Sequence, residues 1–251
     1  MKPTMLAAAA FIALPALAFA NTIVVSPTTP NGWVFSNTDN SGTNASGAFV
    51  NGPGTPPLGI GSAQFTVGDA LSSEILYSLT TPYQGQAVGT LTGFSYDYYR
   101  GSPVGTGSVL EPSLQLAIYS PTGTYEGRLV YEPYLAGLAT ADTTWALANT
   151  NLGSGWWASH SSTTCSQSST CSWATISADY ANDVVGAILF KAGSGWASFQ
   201  GNVDDLTISS SGAAGDTTYN FEPAVPEPAS FAVLGAGLLG LLMVRKRRVH
   251  A

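Results

Sequence analysis

The sequence predicts an all-β protein: a two-sheet antiparallel β-sandwich, jelly-roll-like, between an N-terminal signal peptide and a short C-terminal transmembrane helix. Three features of composition predict this fold. The 251 residues include 28 Gly and 15 Pro, which interrupt helices and form turns. Only 9% of the residues are charged, against about 25% in an average soluble chain. Apolar residues still make up 45% and aromatic residues 11%, which is enough to fill a core.

The first 20 residues predict a signal peptide. Lys2 supplies a positive start, an apolar stretch runs from Leu6 to Phe19, and Ala18 and Ala20 are small residues suited to signal peptidase. The alternative is a membrane anchor, but this apolar stretch is too short to span a bilayer. We therefore expect signal peptidase to cleave before Asn21 and the rest of the chain to be exported.

Period-two alternation predicts the strands of the body. In the stretches 91–98 and 114–118, apolar residues recur at every second position from Phe94 and from Leu114, and these residues fall on one face. The residues expected to face the core are Phe94, Tyr96, Tyr98, Leu114, Leu116 and Ile118. Further strands are predicted at 32–35, 63–67, 75–79, 128–131, 173–176, 184–190, 196–199, 203–208 and 218–221.

Two other stretches predict irregular or helical structure. Residues 36–57 are poor in apolar side chains and rich in Asn, Gly, Ser, Thr and Pro, so we expect a long loop. No long segment keeps a 3.6-residue apolar period, so helices should be limited to a turn or two. The best helix candidate is 177–182, with Ser177 as its N-cap.

The charge distribution argues against a nucleic-acid partner. Of the 8 Lys and Arg residues, four form one terminal run, Arg245, Lys246, Arg247 and Arg248. Residues 21–225 hold 3 cations and 14 anions, a net charge of −11 (3 minus 14). Since binding to phosphates requires clustered cations, we exclude nucleic acid, whereas uncharged glycans and divalent cations remain compatible with this charge.

Cys165 and Cys171 predict a disulfide. Export places them in an oxidising compartment, and five residues separate them, which suits a bond that closes a surface loop. A zinc site would need four ligands, and a free thiol pair is the remaining alternative. So short a loop contributes about 2–3 kcal/mol in the chain-entropy model, and we expect no apolar core surface to depend on it.

The C-terminus combines three features in order. A Pro-rich segment contains Val225, Pro226, Glu227 and Pro228, then 231–244 is a 14-residue stretch without charge, and the basic run 245–248 follows. At about 1.5 Å per residue, the uncharged stretch covers roughly 21 Å, less than the roughly 30 Å hydrocarbon core. The basic run holds its end in the cytoplasm, so the body lies on the exported side.

This order of features resembles the PEP-CTERM sorting signal of exported proteins in Gram-negative bacteria. The resemblance implies processing by an exosortase, a membrane-embedded transpeptidase whose genes accompany exopolysaccharide synthesis. It also implies a precursor held transiently in the inner membrane and a product at the cell surface or outside the cell. The alternative is an ordinary C-terminal anchor, although such an anchor would be expected to span the bilayer fully.

A second resemblance covers about 30 residues near the end of the body. The stretch 193–208, followed by Thr218-Tyr219-Asn220-Phe221-Glu222, is similar to the closing strands of concanavalin-like and carbohydrate-binding-module-like jelly rolls, and its part Gly201-Asn202-Val203-Asp204-Asp205-Leu206-Thr207-Ile208 fits their closing motif. Those domains often end in G-x-V-D-[DN]-[LV]-x-[IV]. The resemblance supports the sandwich more than it supports any ligand.

Candidate ligand-binding residues are few. Trp156 and Trp157 are adjacent, so in a strand they face opposite sides: one fills the core, and the other can stack against a sugar ring. Asp204, if it turns inward at a strand end, can join backbone carbonyls around Ca²⁺, which prefers six to eight oxygens. The alternative for Asp204 is that it caps a turn. Ca²⁺ is the one cofactor that we consider.

No catalytic constellation is evident. A glycosidase needs two carboxylates about 5–9.5 Å apart, and the sequence offers no such pair on one strand face. Glu126 and Glu132 are separated by five residues near turns, so any pair would have to form between strands. His160 is alone in a Ser/Thr-rich run, and we interpret it as a polar loop residue.

Together these features predict a non-enzymatic exported protein of the cell surface or extracellular matrix. An exosortase sorts it, and its β-sandwich binds exopolysaccharide or another matrix component. The alternatives are a secreted polysaccharide-processing enzyme and a purely structural surface protein. We expect three segments: the signal peptide 1–20, the β-sandwich 21–222 and the sorting signal 223–251.

Overall fold

The computed structural model describes residues 21–101, 110–138, 143–160, 164–195 and 198–224. The predicted signal peptide, the Pro-Glu-Pro segment, the uncharged stretch and the basic run lie outside these residues. No helix within the described ranges has the length and apolar character needed to cross a membrane.

Thirteen strands, one α-helix and a short 3₁₀ turn at Val88–Thr90 make up the described part of the chain. The strands and the helix are β1 (Asn21–Val25), β2 (Trp33–Ser36), β3 (Ala45–Asn51), β4 (Gly61–Val67), β5 (Ser73–Ser78), β6 (Leu91–Arg100), β7 (Ser113–Tyr119), β8 (Tyr125–Tyr131), β9 (Trp145–Asn149), β10 (Trp156–Ala158), α1 (Trp173–Asp179), β11 (Val184–Gly193), β12 (Phe199–Ser210) and β13 (Thr217–Phe221).

The strands form two sheets, which confirms the predicted all-β sandwich. The six-stranded sheet has the order β10-β8-β7-β11-β5-β2. In the seven-stranded sheet, β12 is central: β6 and then β9 lie on one side, while β4 and β13 share the other side. The strand β3 pairs with the other edge of β4, and β1 pairs with the other edge of β13. Among the described strands, every pairing is antiparallel except the parallel pair β1 and β13.

The core lies between the two sheets, where the alternation of β6 and β7 predicts it. All six residues expected to face inward are buried, each with 2% or less of its surface exposed. Aromatic rings fill much of this space: Tyr96 packs edge-on against Phe190 with 5.0 Å between ring centroids, and Phe94 does the same against Trp173. Because both sheets turn one face inward, each also has an outer face that is not part of the core.

Three local predictions were wrong. Residues 173–176, predicted as a strand, begin α1 instead, since Ser172 Oγ caps the helix by accepting from the backbone N–H of Thr175. The helix was predicted at 177–182 with Ser177 as its N-cap; its N-cap is instead Ser172, five residues earlier. The predicted loop 36–57 contains β3, whose Gly47 leaves room for the ring of Phe35.

Candidate functional site

The outer face of the six-stranded sheet carries two adjoining cavities. We call this surface the six-strand face and define it by outward residues of β5, β7, β8, β10 and β11. The first cavity, of about 310 Å³, is lined mainly by polar side chains and is called the polar cavity. The second, of about 350 Å³, is lined by mostly apolar side chains and is called the apolar cavity. Tyr125 and Arg128 line both cavities, so the two adjoin, and together they are called the groove.

Strand register explains which side chains reach the groove. Trp157, Val130 and Gln115 lie side by side on β10, β8 and β7, and the same row continues through Leu189 to Tyr77. Their neighbours along each strand point into the core, as alternation requires. Val130 and Leu189 are nearly buried although they face outward, because larger side chains stand around them. They form the floor of the groove, and its walls are aromatic and charged.

Trp157 is fixed at one end of the groove. Its ring is half-buried, and its Nε1 donates to Glu132 Oε2 at 2.9 Å. Gln167 Nε2 and Tyr134 Oη donate to the same oxygen at 3.3 and 3.4 Å. Burial raises the pKa of Glu132, and these hydrogen bonds act in the opposite direction. The indole ring is therefore held in one orientation with a face available to the groove.

A row of aromatic rings lies along another part of the groove. The rings of Tyr119 and Tyr125 are 5.4 Å apart between centroids, and Tyr125 meets His160 edge-on at 5.9 Å. Two glycines allow this row to approach the sheet: a Cβ at Gly186 would clash with the ring of Tyr119, and one at Gly127 would lie 2.6 Å from Nδ1 of His160. Glycine at these positions lets flat rings lie close to the backbone.

Arg128 and Lys191 stand in the groove and share one carboxylate. Asp39, from the loop between β2 and β3, accepts from Arg128 Nη1 at 3.0 Å, from Arg128 Nη2 at 2.7 Å and from Lys191 Nζ at 2.5 Å. Burial works to raise the pKa of Asp39, but the hydrogen bonds and charges of Arg128 and Lys191 lower it to about 2. Asp39 is thus ionised at any physiological pH.

The two adjacent tryptophans take opposite positions. Trp156 is fully buried in the core against Phe94, Tyr131 and Trp173, so it contacts no ligand on the surface. This corrects the prediction for Trp156 as a ligand contact and follows from the alternation of β10. Trp157 lines the polar cavity, and its contact with a ligand stays a prediction.

Asp204 is buried at the point where β12 passes from β4 to β13. Its Oδ2 accepts from the backbone N–H of Leu58 at 3.0 Å, and its Oδ1 accepts from that of Phe221 at 3.0 Å. Burial raises its pKa to about 7 against the effect of these backbone hydrogen bonds. The geometry favours the backbone-capping alternative over Ca²⁺, because N–H donors occupy both oxygens. Among the described residues, no group of three or more His, Cys, Asp and Glu side chains could hold a metal ion.

The disulfide between Cys165 and Cys171 is present, as predicted. However, Cys165 is fully buried and belongs to the core, which corrects the expectation that no apolar core surface depends on the bond. The closed loop also carries Gln167, which donates to Glu132. The bond therefore connects the core to one wall of the groove.

Several residues of the groove are not predicted by the sequence. His160 is predicted as a polar loop residue and Glu132 only as one carboxylate near a turn, and the sequence predicts no role for Arg128 or Lys191. A usable signal was present, since Arg128 and Lys191 are two of only three cations in the body. Asp39 gives no signal in the sequence, because it lies 89 residues from Arg128 and 152 residues from Lys191.

Residues 224–248 match the PEP-CTERM protein-sorting motif, which confirms the predicted sorting signal. The motif marks the chain as an exported protein that is anchored transiently in the membrane before it reaches the surface or the exterior. No curated protein matches the sequence.

Three solved structures have a distant likeness to the fold. One, described as a carbohydrate-binding module of the β-sandwich superfamily, is 13% identical with a TM-score of 0.35; the match covers 69% of this chain and 55% of that chain. CtCBM11 is 14% identical with a TM-score of 0.41, covering 71% of this chain and 88% of that one. The enzymatically active domain of tailspike protein 4 of bacteriophage CBA120 is 8% identical with a TM-score of 0.35, covering 74% and 19%. At such distances these likenesses say nothing about a ligand.

Proposed function

We propose that the six-strand face binds a glycan and that the protein is a non-enzymatic component of the cell surface or extracellular matrix. The ligand class that we favour is exopolysaccharide. The observation that carries the proposal is the groove itself: an outer sheet face with Trp157, Tyr125 and Tyr119 on its walls and hydrogen-bonding groups between them.

The chemistry of the groove suits a sugar chain. Aromatic rings offer flat apolar surface to the C–H faces of sugars, while groups such as Gln115 and Ser113 offer hydrogen bonds to hydroxyls. Gln115 Nε2 donates to Ser113 Oγ at 2.8 Å, and its Oε1 accepts from Arg128 Nη1 at 3.2 Å, so these polar groups are positioned before any ligand arrives. Preorganised polar groups lose less entropy on binding.

The sorting signal supports a destination where such a ligand is found. In our proposal, an exosortase processes the chain at the segment containing Pro226, Glu227 and Pro228. Prolines on both sides of Glu227 favour an extended backbone that a protease cleft can accept. We expect the Pro226→Ala, Glu227→Ala double variant to stay as an uncut, membrane-retained precursor in its host. C-terminal peptide mapping that finds Arg245 to Arg248 on the mature wild-type protein would contradict the processing.

A binding experiment tests the glycan proposal. The full-length protein is titrated with a panel of uncharged hexasaccharides of glucose, mannose, xylose and galactose, each with and without EDTA. Binding that is lost in the Trp157→Ala variant supports the proposal, and an EDTA-insensitive signal separates it from a Ca²⁺-dependent site. If no panel member and no exopolysaccharide isolated from the host binds, the structural-protein alternative takes its place.

An enzymatic role is favoured by one observation. Asp39 and Glu132 lie on the same face, and their pKa values are shifted in opposite directions, as in acid and base pairs of hydrolases. Against this role, the Asp39 carboxylate is bound by Arg128 and Lys191, and Glu132 Oε2 accepts three hydrogen bonds. Turnover of any polysaccharide that Glu132→Gln abolishes would establish the enzyme.

A further inference from the structure

Cations are scarce in the body, and two of them lie in the groove. Among residues 21–224 the cationic side chains are Arg100, Arg128 and Lys191, against 14 Asp and Glu. Arg128 and Lys191 both line the polar cavity. A strongly acidic protein therefore concentrates its positive charge on the face for which we propose a ligand.

The arrangement of these two cations is that of a carboxylate site. The guanidinium fork of Arg128 donates two hydrogen bonds to the two oxygens of Asp39, and Lys191 donates a third. Arginine uses this paired geometry to recognise carboxylates, and charge-assisted bonds of this kind are the strong ones. The side chains are shielded too, with 23% of Arg128, 17% of Lys191 and 16% of Asp39 exposed.

The loop that carries Asp39 is held by contacts of its own. Asn40 Oδ1 accepts from Ser73 Oγ at 2.7 Å, and the backbone N–H of Gly42 donates to the carbonyl of Leu71 at 2.9 Å. The backbone N–H of Asn44 donates to Ser72 Oγ at 2.8 Å. Because these contacts do not involve Asp39, replacing its carboxylate should leave the loop in place.

We propose that Asp39 is a specificity-determining residue of the six-strand face: it occupies the carboxylate site of Arg128 and Lys191, so that the face selects uncharged glycans over uronic-acid glycans. This inference deepens the glycan-binding function proposed above and rests on it. A uronate carboxylate has the charge and shape of the Asp39 carboxylate, so it reaches Arg128 only by displacing a group that the fold already holds there.

The surrounding charge acts in the same direction. With Asp39 in place, the three groups carry a net charge of about +1, and without it about +2. The body as a whole carries −11 (3 minus 14), which repels polyanions. Asp39 thus removes the part of the local attraction that would otherwise favour an acidic chain.

The test compares neutral and acidic hexasaccharides on the full-length protein by isothermal titration calorimetry. The acidic probes are hexagalacturonate and hexamannuronate, and the neutral probes are those of the panel described above. The proteins are the wild type, Asp39→Asn, the Asp39→Asn, Arg128→Gln double variant, and Asp179→Asn as a matched control, since Asp179 is exposed on α1.

We expect the wild type and Asp179→Asn to bind a neutral hexamer and to reject both acidic ones. Asp39→Asn should gain acidic binding by about tenfold or more, because a neutral amide binds the Arg128 fork more weakly than a carboxylate and is more easily displaced by a uronate, and added salt should reduce this gain. The double variant should lose the gain. A residue that only supported the loop would give loss of neutral binding without any salt-sensitive gain.

Other results overturn the proposal in distinguishable ways. If acidic hexamers bind the wild type as tightly as neutral ones, or if a folded Asp39→Asn protein gains nothing, the specificity role is wrong and glycan binding stands. If neither protein binds any hexamer, glycan binding and the specificity role fall together. If only Asp39→Asn binds, and only acidic hexamers, the role of Asp39 stands and the neutral-glycan function falls.

Discussion

The two outer faces of the sandwich obey the same alternation but carry different side chains. On the seven-stranded sheet, the outward residues are mostly short and polar, such as Gln64, Thr66, Ser95 and Thr207. On the six-stranded sheet, the corresponding positions hold tyrosine, tryptophan, leucine and the Arg128–Asp39–Lys191 cluster. Short polar side chains suffice to face water. Facing water does not by itself require large aromatic or charged side chains, and this difference is why we place function on the six-strand face.

The outer face of the seven-stranded sheet, called the seven-strand face, has one aromatic pair among the described residues, and this pair has a different role. Tyr99 and Trp145 lie 5.5 Å apart between ring centroids, and Trp145 Nε1 donates to the carbonyl of Pro53 at 2.8 Å. These rings hold the loop before β4 against the sheet. An outward aromatic residue therefore indicates a ligand only where no segment of the chain already covers it.

The largest difference in stability should come from the adjacent tryptophans. We expect Trp156→Ala to lower the free energy of unfolding by about 3–5 kcal/mol, because it empties a fully buried site. Trp157→Ala should cost about 1 kcal/mol or less, since it removes one hydrogen bond and half-buried surface. Denaturant unfolding followed by circular dichroism measures both. Equal losses would show that the wall of the groove is part of the core.

Removing the disulfide should have the next largest effect. The Cys165→Ser, Cys171→Ser double variant should lose about 2–3 kcal/mol, through the opened loop and the polar group placed at the buried Cys165. The same unfolding experiment on the wild type with and without reductant provides the control. Because the loop carries Gln167, we also expect weaker glycan binding. Unchanged stability in the variant would show that this loop does not contribute to the stability of the core.

The binding contrast between the two faces should be smaller but selective. Tyr125→Ala should weaken binding of the best panel glycan by about tenfold, or about 1.4 kcal/mol, with little change in melting temperature. Tyr99→Ala, the matched tyrosine on the seven-strand face, should leave affinity unchanged. Calorimetric titration of both variants decides the matter. A loss of affinity in Tyr99→Ala alone would move the binding site to the opposite sheet.

The smallest effect should be a difference in pH dependence. Burial, followed by the nearby charge of Asp205, raises the pKa of Asp97 on the seven-strand face to about 6. The unfolded chain ionises this group above about pH 4, so Asp97 lowers stability as pH rises from about 4 to about 6. Asp97→Asn should raise the melting temperature at pH 8 by about 2–4 °C and leave it unchanged at pH 3.

Asp39, on the six-strand face, should change the stability with pH in the opposite direction to Asp97. Since its pKa is lowered to about 2, it contributes stability above about pH 4 that is lost as pH falls toward 2. Asp39→Asn should therefore lower the melting temperature at pH 7 and have less effect at pH 2. Thermal unfolding across this range measures both variants, and slopes of the same sign would contradict the assignment of the two carboxylates.

Much of the fold could be predicted because burial leaves a periodic record in the chain. The inward residues of β6 and β7 repeat every second position, and both strands were identified. The strands that were missed, β1, β3, β9 and β10, are short or at the edge of a sheet, and their alternation is weak because fewer of their residues face the core. The strand assignment at 173–176 failed because a cap at Ser172 outweighed local β propensity.

The site could be predicted only in part. The sequence predicts one of Trp156 and Trp157 as a surface residue because adjacent aromatic residues in one strand face opposite sides of the sheet. The Asp39 cluster could not be predicted, because it joins side chains from three separate parts of the chain that only the folded sheets bring together. A contact between residues that are far apart in the chain leaves no periodic signal in the sequence.

The parallel pairing of β1 with β13 sets an order of events during export. The strand β1 is the first described strand of the chain, and β13 is the last described strand before the sorting motif. The edge of the seven-stranded sheet therefore cannot be completed until nearly the whole body has crossed the membrane. Such end-to-end contacts form slowly, so the sandwich should close only after translocation, while its final strand is still tethered near the bilayer by the segment that follows.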